Sequence, residues 1–203
     1  YFIVLFYLFS IVGISWFINA FNFMDGIDGI TSVNIIYLTV SIIFLSKFLG
    51  FNSGILHYTI IGVILGFLLF NWSPASIFLG DSGSIPLGFL MTHLLFDLAF
   101  KGYWVAAIIL PMYYSLDTSI TLIIRAWRRE KFWQAHSQHF YQKYVRSGKS
   151  HKQVCYSVIV LSSGLFFLAL LSAISKNNLL FLILSIVWCI FFLLNFSNNK
   201  KKS

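Results

Sequence analysis

Long apolar runs dominate this chain, and short polar stretches interrupt them at intervals. We interpret each run as a membrane-spanning helix, because a helix needs about 20 mostly apolar residues to cross the hydrocarbon core of a bilayer. No alternating pattern indicates a β-barrel, and no internal repeat occurs. The seven predicted spans cover residues 1–18, 30–49, 55–72, 85–100, 104–124, 154–175 and 179–196.

Composition supports a single helical membrane domain. The 203 residues are 59% hydrophobic, 19% aromatic and only 10% charged, which is typical of a polytopic membrane protein. We therefore predict an all-α transmembrane helix bundle that forms one domain over residues 1–203. Cys155 and Cys189 lie inside apolar runs without metal-type spacing, so we predict that both are buried and unpaired.

The positive charge is concentrated in two places, and its position predicts the orientation of the bundle. Of the 14 Lys and Arg residues, eight lie in the segment 125–153, which we interpret as a basic loop, and the tail contains Lys200, Lys201 and Lys202. With seven spans these regions share one side, which the positive-inside rule assigns to the cytoplasm. This placement favours a membrane function for the net charge of +8 and excludes nucleic acid as a partner.

The first polar cluster lies where the first apolar helix ends, and the rest of the chain is organised around it. It places two carboxylates, Asp25 and Asp28, beside two amides, Asn19 and Asn22, and a glycine follows each Asp. Ionised groups next to a membrane span usually face a water-filled cavity or a partner. The cluster therefore predicts a polar site for a cation or for phosphates at one membrane face.

The second polar cluster, residues 71–86, is rich in glycine, serine and proline. Ser84 is predicted to cap the next helix, with Pro86 in its first turn. The backbone N–H groups of such a loop can bind an anion. Asp81 could hold a magnesium ion that binds phosphate, since Mg²⁺ takes one or two carboxylates together with phosphate oxygens and water. The alternative is an ordinary cytoplasmic turn.

The third polar cluster lies in the basic segment. His136 and His139 have the i, i+3 spacing that places two side chains on one face of a helix. Together with Arg125 and Arg128, and facing carboxylates on the same side, the pair suits diphosphate binding. The alternative is a patch that binds lipid headgroups, in which each charge contributes about 1 kcal/mol near an anionic surface.

Two further residues carry separate predictions. Asp117 lies inside the fifth predicted span, and an intramembrane Asp is a functional candidate by default. A structural role as the partner of a basic or hydroxyl group is an equal alternative. Ser150 is predicted to cap the helix of the sixth span.

Taken together, three motifs resemble a known family. They are Asn19-x-x-Asn-Phe-Met-Asp-Gly-Ile-Asp-Gly-Ile30, Asn71-x-x-Pro-Ala-x-Ile-Phe-Leu-Gly-Asp-Ser-Gly-Ser84 and His136-x-x-His139. The chain resembles the polyprenyl-phosphate N-acetylhexosamine-1-phosphate transferases of glycosyltransferase family 4, which also contains the phospho-N-acetylmuramoyl-pentapeptide transferase of peptidoglycan synthesis. The stretches 135–142 and 148–154 are most similar to its bacterial O-antigen and surface-polysaccharide branch.

This resemblance implies a multi-pass enzyme of the bacterial inner membrane with its active site facing the cytoplasm. Undecaprenyl phosphate would attack the sugar-bearing phosphorus of a UDP-N-acetylhexosamine and release UMP, which initiates synthesis of a cell-surface glycan. The resemblance also implies Mg²⁺ as the cofactor, with Mn²⁺ as an alternative, and membrane lipids as partners. A homodimer is an option that the sequence leaves open.

The same resemblance implies roles for individual residues. Asp25, Asp28 and Asp81 would be the catalytic carboxylates, and Asp81 would ligate the metal. Phe78 matches an aromatic residue that stacks on uracil. The substrate-binding residues implied in this way are Asn19, Asn22, Asn71, Phe78, His136, His139, Arg125 and Arg128.

One departure from the family pattern limits what this chain can do alone. Family members carry an adjacent Asp-Asp pair in an earlier cytoplasmic loop, and this sequence contains no such pair. Since the chain also starts at Tyr1 within an apolar run, we interpret it as an N-terminally truncated member of a ten- or eleven-span fold that is inactive by itself. The competing hypotheses are an ion-coupled membrane transporter and an inactive scaffold homologue.

Overall fold

The computed structural model describes residues 2–131, 134, 136–175 and 177–198, with side chains at residue 8 and from residue 11 onward within these ranges. The described residues form helices and connecting loops, without any strand. The helices are α1 (Phe2–Phe23), α2 (Ile30–Phe48), α3 (Ile55–Asn71), α4 (Gly80–Leu98), α5 (Trp104–Ile109), α6 (Met112–Trp127), α7 (Phe140–Arg146), α8 (His151–Ile174) and α9 (Asn178–Asn198).

The predicted polytopic helical bundle is confirmed. The part of α1 from Ile11 to Phe23 and the whole of α3 are also apolar, and large apolar side chains such as Leu69 are exposed on the outer surface. An apolar outer surface is what a lipid environment requires. The helical stretches in the described part of the chain that are long and apolar enough to cross a membrane are Ile30–Phe48, Gly80–Ile109, His151–Ile174 and Asn178–Asn198.

The prediction of one helix over residues 104–124 is wrong, because Pro111 separates α5 from α6. Proline has no N–H to donate to the preceding turn, so the chain bends there and starts a new helix. A second bend precedes α5, where Gly102 adopts a φ of 97°. The 30-residue run Gly80–Ile109 is therefore broken near its end.

Two predicted boundaries on the polar side change as well. The segment 125–153 is not a continuous loop, since it contains α7 and the ends of α6 and α8. Helix α4 begins at Gly80, so Ser84 lies inside the helix instead of capping it, and Pro86 is an interior residue. This places Asp81 in the first turn of α4, next to the positive end of the helix dipole.

The prediction that Ser150 caps the sixth span is confirmed. The Gln153 N–H donates to Ser150 Oγ at 3.3 Å, and the Ser150 N–H donates to Gln153 Oε1 at 3.0 Å. This reciprocal pair satisfies two N–H groups that α8 would otherwise leave without partners. Cys155 and Cys189 are buried and unpaired, as predicted.

Packing around α2 holds the bundle together. Helix α2 contacts α3, α4 and α8, while α1 packs against α4 and α6. Helix α8 also packs against α9, where Gly164 lets the helices approach and the Trp188 indole N–H donates to the Leu161 carbonyl at 2.9 Å. These contacts bring the loops that carry the polar clusters to the same end of the bundle.

The predicted orientation of the bundle rests partly on the tail residues Lys200, Lys201 and Lys202, which lie outside the described residues.

Candidate active site

Hydrogen bonds between distant segments gather the polar clusters at one end of the bundle. The Ala75 N–H donates to Asp28 Oδ2 at 3.3 Å, which joins the second cluster to the first. His151, at the start of α8, has its ring Nδ1 3.1 Å from the same oxygen. The Tyr141 hydroxyl donates to the Phe23 carbonyl at 3.2 Å, which joins α7 to the end of α1. The loops that contain the three polar clusters therefore lie together at one end of the bundle, on one face as predicted.

Asp28 is held from several directions at once. Its carboxylate accepts hydrogen bonds, and its main chain makes two more contacts. The Asp28 N–H lies 3.4 Å from His151 Nδ1, and the Cys155 thiol donates to the Asp28 carbonyl at 3.4 Å. Burial by itself raises the pKa of Asp28, but the hydrogen bonds from His151, Ala75 and Ser73 outweigh it and hold that pKa below its usual value. Asp28 is therefore an anion in a fixed position.

Asn71 closes the end of α3 onto the start of α2. Its Oδ1 accepts from the Gly29 N–H at 3.2 Å and from the Ser32 hydroxyl at 2.9 Å, while its Nδ2 donates to the Ile77 carbonyl at 3.0 Å. Gly29 has a φ of 79°, and a Cβ there would lie 3.1 Å from the Trp72 ring. Asn71 is buried, so its side chain links the first two clusters to each other.

The other two predicted amides differ in exposure. Asn22 accepts a hydrogen bond from the Ser84 hydroxyl at 2.8 Å, and this contact joins the last turn of α1 to α4. Asn19 lies one turn earlier, is exposed, and donates only to the Ser15 carbonyl of its own helix at 2.8 Å. Of the two, Asn22 is part of the framework of the site, and Asn19 lies at its edge.

Asp25 and Asp81 form the acidic part of the site. Burial raises the pKa of Asp25, and the negative charge of Asp81 raises it further, although the nearby Thr31 hydroxyl opposes the shift. Asp81 is exposed in the first turn of α4. The described residues contain no group of three or more His, Cys, Asp or Glu side chains arranged to hold a metal ion. Two neighbouring carboxylates nevertheless fit Mg²⁺ when phosphate oxygens and water complete its shell.

Phe78 lies directly before this acidic end of α4. Its ring is 71% exposed, which leaves a face for stacking. The first N–H groups of α4 have no acceptor within the helix, as at any helix start. An exposed ring, a carboxylate and a positive helix end therefore lie within a few residues of one another.

The third cluster is organised by Asp117. Its carboxylate is completely buried, and His139 Nδ1 lies 3.1 Å from Asp117 Oδ1. The N–H groups of Phe140 and Tyr141, at the start of α7, donate to the same carboxylate at 3.0 and 3.3 Å. His136 stacks on His139 with the ring centroids 4.9 Å apart. Asp117 thus has the structural partners that one of the two sequence hypotheses expected.

The two predicted arginines differ in their partners. Arg125 is buried, and its guanidinium contacts Glu130 Oε2 at 3.1 Å and donates to the Lys131 carbonyl at 2.9 Å. It therefore stabilises the turn that follows α6. Arg128 is exposed at the end of α6, where its charge is available at the rim of the site.

Two residues that contribute to the site, His151 and Tyr141, are not among the residues predicted from the sequence. His151 is the first residue of α8 and contacts Asp28 across 123 positions of sequence. Tyr141 lies against Gly26, where any added Cβ would overlap its hydroxyl. Both lie in the stretches 135–142 and 148–154 that resemble the surface-polysaccharide branch, but no local feature of the sequence indicates their contacts.

Comparison with known proteins gives one family model and several curated relatives. Residues 1–99 match the family described as Glycosyl transferase family 4. A phospho-N-acetylmuramoyl-pentapeptide-transferase of Streptococcus pyogenes serotype M6 is 37% identical over 123 residues, which cover 60% of this chain and 35% of the relative. The protein of the same name from Streptococcus thermophilus strain CNRZ 1066 is 37% identical over 125 residues, covering 60% of this chain and 34% of the relative.

A further similar protein of that name, from Streptococcus uberis, is 34% identical over 122 residues, covering 59% of this chain and 34% of the relative. The chain thus spans about a third of the length of the curated relatives that it matches. The matched family segment, residues 1–99, contains the first two polar clusters in full.

Replacing Asn71 tests whether it joins the first two clusters. Asn71→Ala leaves the Gly29 N–H, the Ser32 hydroxyl and the Ile77 carbonyl without their partner, and each buried unsatisfied group costs about 1–3 kcal/mol. We expect a clearly lower thermal unfolding temperature in detergent. The control Asn52→Ala, at an exposed position, should leave that temperature unchanged. Equal unfolding temperatures for both variants would contradict a linking role for Asn71.

Proposed function

We propose that this chain is part of a sugar-1-phosphate transferase acting on a polyprenyl phosphate, because residues 1–99, which contain most of the site, match the family described as Glycosyl transferase family 4. We propose an N-acetylhexosamine 1-phosphate as the transferred group, a UDP-linked sugar as donor and undecaprenyl phosphate as acceptor. The product would begin a cell-surface glycan. The observation that carries the proposal is the gathering of Asp25, Asp28 and Asp81 at one end of an apolar bundle.

The reaction is a phosphoryl transfer. An oxygen of the lipid phosphate forms a new bond to the sugar-bearing phosphorus of the donor, and the bond from that phosphorus to the bridging oxygen breaks. UMP leaves with the electron pair. Such reactions depend mainly on positioning and on neutralising the charge of the phosphates. Fixed carboxylates and imidazole rings can supply the positioning, while a helix N-terminus and a cation held by the carboxylates can supply the positive charge.

We propose Mg²⁺ as the cofactor, with Mn²⁺ as an alternative, held by Asp81 beside Asp25. The mutual repulsion of the two carboxylates and the raised pKa of Asp25 support a cation position between them and the donor phosphates. When bound, the ion would neutralise charge on the diphosphate. The residues of the chain have other tasks: Phe78 offers a stacking face for the base, and Asp28 is fixed to contact the nucleotide.

The acceptor lipid needs an apolar path that ends at the site. A groove of about 330 Å³ between α1 and α6 is lined by Trp16, Ser119, Leu122, Ile123 and Ala126. It ends next to the last turns of both helices, which contain Asn22 and Arg125 and adjoin the polar clusters. We propose that this groove receives the polyprenyl tail while the lipid phosphate reaches the carboxylates. The multi-pass chain would lie in the bacterial inner membrane with the site facing the cytoplasm.

The relatives favour a second donor within the same reaction class. Their name describes transfer of phospho-N-acetylmuramoyl-pentapeptide, whereas the motif around His136 and His139 resembles the surface-polysaccharide branch. The transporter hypothesis has less support, because Asp117, the only deeply buried Asp among the described residues, is saturated by protein donors. The scaffold hypothesis predicts no transfer with any donor.

A transfer assay tests the proposal and separates the two donors. Membranes containing the full-length protein, undecaprenyl phosphate and Mg²⁺ are incubated with radiolabelled UDP-N-acetylhexosamines or UDP-N-acetylmuramoyl-pentapeptide. We expect UMP release and label in the lipid phase with one N-acetylhexosamine. Transfer from the pentapeptide donor alone would replace the proposed substrate. Absence of transfer from every donor by a well-folded protein would contradict the proposed reaction.

The role of Asp81 is tested with a matched control on the same helix. Asp81→Asn removes the charge at the start of α4, and we expect transfer to fall by at least about 100-fold because a metal contributes several kcal/mol to such a step. Asp97→Asn removes an exposed charge near the other end of α4, where Asp97 pairs with Lys101 at 2.6 Å, and should leave transfer unchanged. Equal rates for the two variants would remove Asp81 from the metal site.

A further inference from the structure

We propose that the two histidines of the His136-x-x-His139 motif have different tasks. In this inference His136 contacts the donor as a neutral hydrogen-bond donor through Nε2, while Asp117 and His139 form a buried support that positions the His136 ring. Asp117 and His139 are therefore positioning residues. The inference rests on the proposed function only for the identity of the ligand, since the arrangement of the rings is a property of the protein alone.

The support begins with Asp117. Its carboxylate receives hydrogen bonds from the Phe140 and Tyr141 N–H groups and from the Thr121 hydroxyl, which lies 3.3 Å from Oδ1. Both oxygens of this carboxylate thus already accept main-chain N–H groups, so Asp117 is the acceptor in its further contacts. His139 Nδ1, 3.1 Å from Oδ1, must therefore carry a proton and donate it. This contact fixes both the rotation of the His139 ring and the location of its Nδ1 proton.

His139 itself has almost no surface available to a ligand. It is 1% exposed. Its ring lies among the rings of Phe23, Tyr141 and His136, with centroid distances of 6.3, 5.9 and 4.9 Å. A ring so enclosed offers no face or edge to a nucleotide sugar. It provides a fixed aromatic ring on which the His136 ring stacks.

His136 has the opposite properties. It is partly exposed, and the Gln138 N–H lies 3.4 Å from its Nδ1 in donating geometry. Nδ1 must therefore hold a lone pair, which leaves the proton on Nε2. Burial, together with the neighbouring His139 and Arg125, lowers the pKa of His136 to about 4, although Glu130 and Asp117 pull it upward. The neutral ring presents an Nε2–H group that suits a phosphate or sugar oxygen.

A double-mutant cycle tests this division of tasks. If His139 acts only by supporting His136, then His136→Ala and His139→Ala should each reduce transfer by about tenfold, the value of one hydrogen bond to a ligand. The double variant should be no worse than either single variant, within about twofold. Multiplying losses would show two independent contacts and overturn the proposal. Ser137→Ala, exposed between the two histidines, is the control and should leave transfer unchanged.

Two further variants separate the roles chemically. His139→Asn keeps an N–H group for Asp117 but removes the aromatic ring on which His136 stacks. Its transfer rate should therefore fall as much as that of His139→Ala, and this variant decides the point if His139→Ala folds poorly. His136→Gln places an amide N–H near the position of Nε2, and we expect it to retain more transfer than His136→Lys, which supplies a cation. Higher transfer by His136→Lys than by His136→Gln would show that a positive charge is needed and would overturn the neutral-donor assignment.

A spectroscopic measurement decides the protonation of the rings without turnover. In protein labelled with ¹⁵N-histidine, His136 should show an unprotonated Nδ1 and a protonated Nε2 from about pH 8 down to about pH 6, a range in which an unperturbed imidazole titrates. Asp117→Asn should disturb this signal. Titration of His136 near an ordinary histidine pKa would contradict the proposal. If no donor is transferred, the proposed function fails, but this spectrum still decides the inference.

Discussion

The contact between the buried Asp117 carboxylate and the start of α7 is the interaction on which the site depends. A charge without exposed surface is tolerated only when donors surround it, and here those donors are main-chain N–H groups and the His139 ring. Because α7 has only seven residues, it has little stability of its own and takes its position from this anchor. From there Tyr141 reaches the Phe23 carbonyl and closes α7 against the loop that contains Asp25.

A membrane bundle restricts where polar chemistry can occur. Backbone groups in the hydrocarbon region must be satisfied inside helices, so irregular loops with free N–H groups and carboxylates belong at the ends. In this chain Asn71 and Asn22 tie those loops to one another through buried or partly buried hydrogen bonds. The result is a polar end fixed by an apolar framework, with a groove between α1 and α6 leading to it. The reaction that we propose needs such a combination, because it would bring a water-soluble sugar nucleotide together with a lipid.

Much of this architecture can be predicted from sequence, and the exceptions have physical reasons. Apolar runs predict the helices, and the Ser150 cap follows from its residue type. Hydropathy does not detect backbone breaks, so the apolar run 104–124 predicts one helix although Pro111 interrupts it. The gathering of the polar clusters follows from the charge pattern, but the contact between His151 and Asp28 spans 123 positions and has no local signal. The spacing in His136-x-x-His139 suggests a shared helical face and equal roles, but His136 lies in the loop before α7 and the burial of the two rings differs.

The central claim, that the three polar clusters form one donor site, is tested most directly by a cryo-EM structure of the full-length protein with a UDP-N-acetylhexosamine and Mg²⁺. We expect density for the diphosphate beside Asp81 at the start of α4, with the base at Phe78 and the His136 ring facing the phosphates or the sugar. A nucleotide bound away from these clusters, or one contacting His139 in place of His136, would contradict the claim.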